Sequence, residues 1–213
     1  RQPKVIGFSC YIWNWKLIRE ILTELPKILP DTEIWLGGPE LTYDGPGLLR
    51  EFPQITGIMV GEGEVTFREV LDHYVRETET AGQSEQQPEP DSIEQQAADR
   101  TGTVARKSVA ERFGQIPGLC LASGYTAPRE LTDLTMLPFL YEDMEPFTNR
   151  IIYYETSRGC PYRCSYCLSS IDKKVRLRDI DVVKRELQFF LDQNVKQVKF
   201  IDRTFNCDHK HAM

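Results

Sequence analysis

The chain has 213 residues, 40% hydrophobic and 27% charged, which is enough apolar material for one large globular domain or two small ones. Its net charge is −6 and its lysines and arginines are scattered, so the composition gives no sign of a nucleic-acid surface. No apolar run approaches the roughly 20 residues of a membrane helix, and we expect no secretory signal. The six cysteines are unevenly spaced, which argues against a disulfide framework and favours the reducing cytoplasm.

The first 80 residues alternate between strand and helix patterns. Short apolar runs are typical of buried parallel strands, and apolar residues at 3.6 spacing are typical of helices packed on a sheet. In chain order, the predicted elements are strand 5–9, a helix capped by Asn14 in a region closed by Pro26 and Pro30, strand 33–36, a short helix around 48–49, strand 55–60, and a helix after 61–64. Repeated units of this kind predict an α/β fold with a parallel, doubly wound sheet of the Rossmann or flavodoxin-like class.

The middle of the chain separates this domain from a second α/β unit. Residues 81–115 are largely polar and low in complexity, which predicts a flexible linker. Residues 116–149 are predicted to hold one strand and an ordered connector. From 150 to 213 the pattern predicts strand 151–156, a helix with Leu191 on its apolar face, and strand 195–201. Because the chain starts at Arg1 and stops soon after a strand, we expect it to be a fragment.

Three cysteines follow strand 151–156 with the spacing Cys-x3-Cys-x2-Cys: Cys160, Cys164 and Cys167. Thiolates are soft ligands, so a tight cysteine loop selects an iron–sulfur cluster, zinc or copper(I). Three ligands suit a cubane cluster that leaves one iron open to bind a substrate. The loop also lies at the carboxyl end of a strand, where α/β barrels and open α/β sheets place their chemistry.

This loop resembles that of the radical S-adenosylmethionine (SAM) superfamily, including the aromatic Tyr166 before the third cysteine. The resemblance implies that the three cysteines bind a [4Fe-4S] cluster whose fourth iron binds SAM, with Tyr166 near the adenine. It also implies reductive cleavage of SAM to a 5′-deoxyadenosyl radical, a reductant such as flavodoxin or ferredoxin, and a TIM-like partial barrel that starts near residue 150. The family's Gly-Gly-Glu segment is absent, so Asp202 is predicted to serve the SAM amino group, with Asn206 close by. The alternative for that segment is a strand end followed by a helix cap at Asn206 or Asp208.

Three short segments at successive strand ends of the first domain carry a second resemblance: Ser9-Cys10-Tyr11, Gly37-Gly38-Pro39 and Gly61-Glu62-Gly63-Glu64. Together with the cysteine loop they resemble the cobalamin-binding domain of one radical SAM subfamily. The resemblance implies that Ser9 lies beside the nucleotide tail of cobalamin and that Gly37 and Gly38 let the tail pass close to the backbone. The Asp-x-His-x-x-Gly loop that supplies the cobalt ligand in that fold is absent from this chain.

The sequence leaves more than one function open. As a cobalamin-type radical SAM enzyme, the protein would carry out methyl transfer or a radical rearrangement on an unidentified substrate. The rival is a non-catalytic flavodoxin-like binding module with a structural zinc site, for which Cys207, His209 and His211 are candidate fourth ligands. A third interpretation keeps the radical family without cobalamin. Elsewhere, Trp13, Trp15 and Trp35 are predicted to pack against strands, with the lining of a cofactor cleft as the alternative. Cys10 and Cys120 are predicted to be core residues.

Overall fold

The computed structural model describes residues 2–41, 43–84, 107–170 and 174–213. The chain divides into two compact units, residues 1–131 and 132–213. Most of the predicted linker, residues 85–106, lies outside the described residues. In the part that is described, no helix has the length and apolar character that crossing a membrane requires.

The first unit is a five-stranded α/β sheet. Its elements are β1 (Val5–Ser9), α1 (Trp15–Ile28), β2 (Glu33–Gly37), a 3₁₀ turn (Pro39–Leu41), α2 (Gly45–Glu51), β3 (Ile55–Met59), α3 (Gly63–Ser84), α4 (Val109–Phe113), β4 (Leu119–Leu121) and β5 (Gly124–Tyr125). The strands lie in the order β1-β2-β3-β4-β5, and β1, β2 and β3 are parallel. The α/β fold class and the parallel sheet are therefore confirmed, whereas β4 and β5 form an antiparallel hairpin at the edge.

Side chains that alternate along β2 divide the core of this unit between two faces. Ile34 and Leu36 pack with residues of α1 and α2, while Trp35 between them packs with residues of α3 and α4. This alternation is the period of two that a strand imposes, and helices on both faces explain why every β2 side chain in the middle is apolar. The packing predicted for Trp35 and the burial predicted for Cys10 and Cys120 are confirmed. The prediction for Trp13 is wrong, since its side chain is 76% exposed.

Helix α1 continues past Pro26 and ends at Ile28, two residues before Pro30, so Pro26 lies inside the helix and Pro30 lies just beyond its end. A proline inside a helix has no N–H and leaves the carbonyl four residues earlier without its usual donor. Here that carbonyl belongs to Leu22, and the side-chain amide of Gln54 donates a hydrogen bond to it at 2.8 Å. A substitute donor from a distant segment therefore makes the proline tolerable.

The end of the predicted linker forms helix α4 instead. Ser108 and Glu111 make a reciprocal capping box at its first turn. Arg112 on this helix is buried and pairs with Glu33 at 2.6 Å and with Glu77 at 2.7 Å. A guanidinium shared between two carboxylates ties α4 to β2 and α3, which explains how so short a helix keeps its place.

The second unit starts with a connector and contains two small sheets. Its elements are 3₁₀ turns at Leu134–Met136 and Glu145–Phe147, β6 (Ile152–Tyr154), β7 (Ser157–Arg158), a 3₁₀ turn at Leu168–Ser170, β8 (Arg176–Leu177), α5 (Ile180–Asp192), β9 (Val198–Phe200) and α6 (His209–Ala212). Strands β6 and β9 are parallel, and β7 and β8 are antiparallel. The connector residues from Thr132 onward cluster with this unit. The four predicted domain bounds stay a prediction.

Helix α5 holds a buried ion pair that the sequence analysis did not foresee. Val183 and Phe190 face the apolar core, but Leu191, predicted to share that face, is exposed. On the same helix, Glu186 is buried, and its carboxylate pairs with the guanidinium of Arg178 at 2.7 Å. The same guanidinium donates to the carbonyls of Leu134 and Leu137 in the connector. A buried arginine with all these acceptors fixes the connector against the start of α5.

Candidate functional site

The carboxyl ends of β1 and β2 bring the predicted Ser9 and Gly37 side by side. The two residues are partners in the parallel register, and the amide of Cys10 donates to the carbonyl of Gly37 at 2.7 Å. Ser9 is exposed at this edge, so its hydroxyl is accessible. Because parallel strands end on the same edge of a sheet, this is the position at which an α/β domain binds a ligand.

The two glycines at the end of β2 have different structural roles. Gly38 has φ +108°, and a Cβ on it would overlap with the carbonyl oxygen of Cys10 and lie 2.8 Å from that residue's nitrogen. The absence of a side chain at Gly38 is therefore required by the close approach of the chain's own backbone. A Cβ at Gly37 would instead make an ordinary contact of 3.6 Å with Met59.

The end of the third parallel strand adds an open surface to this edge. Gly61 has φ +81°, and added Cβ atoms at Gly61 and Gly63 would meet nothing within 4 Å. Nearby in sequence to Ser9, the rings of Tyr11 and Trp13 stack 4.6 Å apart. The edge thus carries backbone without side-chain cover, which suits a large planar or extended ligand.

The cysteine loop starts directly after β7 and is shaped by one glycine. Gly159 has φ +99°, and a Cβ there would overlap with the carbonyl oxygen of Lys174. Glycine therefore lets the start of the loop pass against the backbone that leads into β8. Further along, the amide of Cys167 donates to the carbonyl of Cys164 at 3.1 Å, which closes a turn between these two cysteines.

The donor set of this loop fits an iron–sulfur cluster. Cys160, Cys164 and Cys167 are all partly exposed and none of the six cysteines forms a disulfide. Among the described residues, no three Cys, His, Asp or Glu side chains lie close enough to hold a single metal ion. A tetrahedral zinc site needs its sulfurs about 2.3 Å from one ion, whereas each cysteine of a cubane binds a different iron. Three thiols on one loop are the soft donor set that a cubane with one open iron requires.

The remaining cysteines have other environments. Cys10 is fully buried, and burial raises the pKa of its thiol to about 11. Burial also raises the pKa of the Cys120 thiol. Both are therefore protonated core residues near neutral pH rather than metal ligands. Cys207 is exposed and lies after β9.

Asp202 has partners that differ from its predicted role. Its carboxylate accepts hydrogen bonds from the amides of Thr156 at 2.8 Å and Ser157 at 2.6 Å, and from the Thr156 hydroxyl at 2.7 Å. These bonds connect the end of β9 to the backbone between β6 and the cysteine loop. Contact between Asp202 and the SAM amino group stays a prediction. In such a contact the same carboxylate would also keep its hydrogen bonds to Thr156 and Ser157.

The other predicted cofactor residues lie on exposed segments. Tyr166 is 90% exposed, and Asn206 is exposed after β9. Asp208, one of the two predicted caps, accepts a hydrogen bond from the amide of His211 and caps α6. The roles of Tyr166 and Asn206 toward SAM stay predictions.

One polar residue beside the cysteines was missed by the sequence analysis. The hydroxyl of Thr204 lies 3.4 Å from the sulfur of Cys160. Its partner is 44 residues away in sequence, and no local pattern marks it. The only signal was a polar residue four positions beyond the end of β9, and its use depends on knowing that β6 and β9 are neighbours.

Comparison with known proteins gives a family match within the first unit. Residues 1–71 match the family described as B12 binding domain. The Cys-x3-Cys-x2-Cys loop lies outside this matched range, in the second unit.

Two curated relatives match along nearly the whole chain. The 2-(S-pantetheinyl)-carbapenam-3-carboxylate methyltransferase of Streptantibioticus cattleyicolor is 26% identical over 95% of this chain and 28% of its own length. The cobalamin-dependent radical SAM methyltransferase TokK of Streptomyces tokunonensis is 26% identical over 96% of this chain and 28% of its own length. The chain is therefore similar, over nearly its whole length, to two methyltransferases, one of which is a cobalamin-dependent radical SAM enzyme.

A solved structure agrees on the fold. The radical SAM methyltransferase TsrM from Kitasatospora setae aligns with 100% of this chain and 39% of its own, with a TM-score of 0.60 and 19% identity. At this identity the likeness concerns the fold. The chain spans about a third of the length of the curated relatives it matches, 28% to 35%.

Proposed function

We propose that this chain is part of a cobalamin-dependent radical SAM methyltransferase that acts on a small-molecule substrate. The observation that carries the proposal is the combination of a B12-binding family match at residues 1–71 with a three-cysteine loop after a strand end. Both of these relatives are methyltransferases, which favours methyl transfer over the rearrangement that the sequence left open. The proposal includes a low-potential reductant such as flavodoxin or ferredoxin, and a reducing cytoplasm as its setting.

Cys160, Cys164 and Cys167 would hold the [4Fe-4S] cluster as thiolates. When bound, this cluster supplies one electron and an open iron at which SAM binds. The chain's own residues prepare the loop: Gly159 permits its tight entry, and Asp202 fixes the backbone that precedes it. A loop held at its base loses less conformational freedom when its ligands converge on a cluster.

Ser9, Gly37 and Gly38 would line the cobalamin site. The Ser9 hydroxyl is the accessible donor and acceptor at the carboxyl edge of β1. Because Gly38 has no side chain, the Cys10 backbone can lie close to the end of β2. These residues bind and orient the ligand, and the chain as given has no histidine at these strand ends to ligate cobalt.

Metal analysis of two cysteine variants tests the cluster against the zinc module. After anaerobic reconstitution with iron and sulfide, Cys164→Ser should lose the cubane, because a loop with two thiolates no longer supplies its three ligands. Cys207→Ser is the matched control and should keep it, since Cys207 lies outside the loop. Stoichiometric zinc in the wild type, lost in Cys207→Ser, would contradict the proposal and establish the binding module.

Retention of hydroxocobalamin tests the first unit separately. The wild-type protein should retain the corrinoid after gel filtration, as measured by its visible absorbance. Ser9→Ala should bind it about threefold to tenfold more weakly, which is the loss expected for one hydrogen bond. Gly7→Ala on the same strand is the control, because a Cβ there meets nothing within 4 Å. A wild type that retains no corrinoid would remove cobalamin from the proposal.

A further inference from the structure

The segment that follows β9 reaches the cysteine loop through Thr204. Its hydroxyl oxygen lies 3.4 Å from the sulfur of Cys160, which is within hydrogen-bonding distance for an oxygen and a sulfur. Both side chains are partly buried. Thr204 therefore places a hydroxyl within hydrogen-bonding distance of a loop-cysteine sulfur.

Independent contacts hold both partners of this pair in place. Asp202, two residues before Thr204, accepts the amides of Thr156 and Ser157 just before the loop. On the other side, Gly159 precedes Cys160 and lies against the backbone of Lys174. The approach of Thr204 to Cys160 follows from this framework, since the segments on both sides are fixed by backbone contacts.

The chemistry of a ligating cysteine decides the direction of the hydrogen bond. Between a free thiol and a hydroxyl, either group can donate. A cysteine bound to iron is a thiolate and carries no proton, so only the hydroxyl can donate. The bond is then O–H···S, from Thr204 to Cys160.

We infer that Thr204 tunes the cluster by donating this hydrogen bond to the Cys160 thiolate and thereby raises its reduction potential; the inference rests on the proposed function. Reduction adds negative charge that is shared by the ligating sulfurs. A hydroxyl dipole aimed at one of these sulfurs stabilises the reduced form more than the oxidised form. Thr204 is in this sense a positioning and tuning residue, and no contact with SAM is assigned to it.

An EPR-monitored redox titration of the reconstituted protein tests the inference. Thr204→Val removes the hydroxyl at nearly constant volume and should shift the midpoint potential to more negative values. The expected change is up to about tenfold in the one-electron reduction equilibrium, which corresponds to about 59 mV. Thr204→Ser keeps the hydroxyl and should restore most of the wild-type potential, and Thr204→Ala is a second hydroxyl-free variant should valine disturb the packing.

The outcomes separate this inference from the function on which it rests. An unchanged potential in both hydroxyl-free variants, with the cubane intact, would overturn the role of Thr204 and leave the proposed function standing. A serine variant shifted as far as the valine variant would overturn it too, because shape rather than the hydroxyl would then be responsible. A wild-type protein that forms no cubane would overturn the proposed function and this inference together.

Discussion

Replacing Asp202 by alanine should loosen the entrance to the cysteine loop. The carboxylate accepts two amide hydrogen bonds, from Thr156 and Ser157, and one hydroxyl hydrogen bond. Thr156 is 1% exposed and Ser157 is 3% exposed, so both amides would be left buried without an acceptor. Each unsatisfied buried donor costs about 1–3 kcal/mol, which gives a loss of about 2–6 kcal/mol in the free energy of unfolding of the second unit.

Asparagine at this position should be much milder. Its carbonyl oxygen still accepts both amides, and its NH₂ group can donate to the hydroxyl of Thr156, so mainly the charge assistance is lost. We expect a loss of about 1 kcal/mol for Asp202→Asn. Asp192→Ala is a suitable control, because Asp192 is exposed and its carboxylate accepts a hydrogen bond from the exposed side chain of Gln188.

Amide hydrogen exchange is the direct assay, because it reports on the two amides themselves. In Asp202→Ala the amides of Thr156 and Ser157 should lose their protection against exchange. The amides of α5 should keep most of their protection, because they exchange mainly when the whole unit unfolds. Urea unfolding of the same variants gives the free energies. Equal protection in wild type and Asp202→Ala, or equal destabilisation by alanine and asparagine, would refute this account of Asp202.

Three further predictions concern Gly38, Cys10 and Glu77. Gly38→Ala should lower stability by about 1–3 kcal/mol or more in urea unfolding, because it combines a positive φ with a backbone overlap, while Gly37→Ala should change it by less than about 1 kcal/mol. Alkylation of the native protein at pH 8 should modify exposed Cys207 and spare Cys10, because burial raises the pKa of the Cys10 thiol to about 11. Mass spectrometry after digestion measures the labelling of each cysteine, and equal labelling of the two would contradict the prediction. The Arg112 guanidinium, which is hydrogen-bonded to Glu77, lowers the pKa of that carboxyl, so the ion pair stabilises the fold above pH 4.5 and this stabilisation is lost as the pH falls through the lowered pKa. In a profile of melting temperature against pH, Glu77→Gln should therefore reduce the slope on the acid side. An acid slope equal to that of the wild type would contradict this.

Local spacing was sufficient to predict the cysteine loop and the parallel strands. The Cys-x3-Cys-x2-Cys pattern lies within eight consecutive residues, and the period of two in β2 shows in the sequence around Trp35. Such features depend on neighbours along the chain, and the sequence contains them directly.

Features that depend on distant segments could not be predicted. Pro26 is compatible with α1 only because Gln54, 32 residues from Leu22, supplies a donor. Asp202 meets Thr156 46 residues away because β6 and β9 are paired in one register. Glu186 occupies a core position because Arg178 is buried beside it and supplies its partner.

The most direct measurement is an EPR spectrum of the anaerobically reconstituted, reduced protein, recorded with and without SAM. The central claim is that Cys160, Cys164 and Cys167 hold a [4Fe-4S] cluster with an iron open to SAM. It predicts a reduced cubane signal whose g-values change when SAM is added, and no such signal in Cys164→Ser. A protein that forms no cubane, or a cubane whose spectrum is the same with and without SAM, would contradict it.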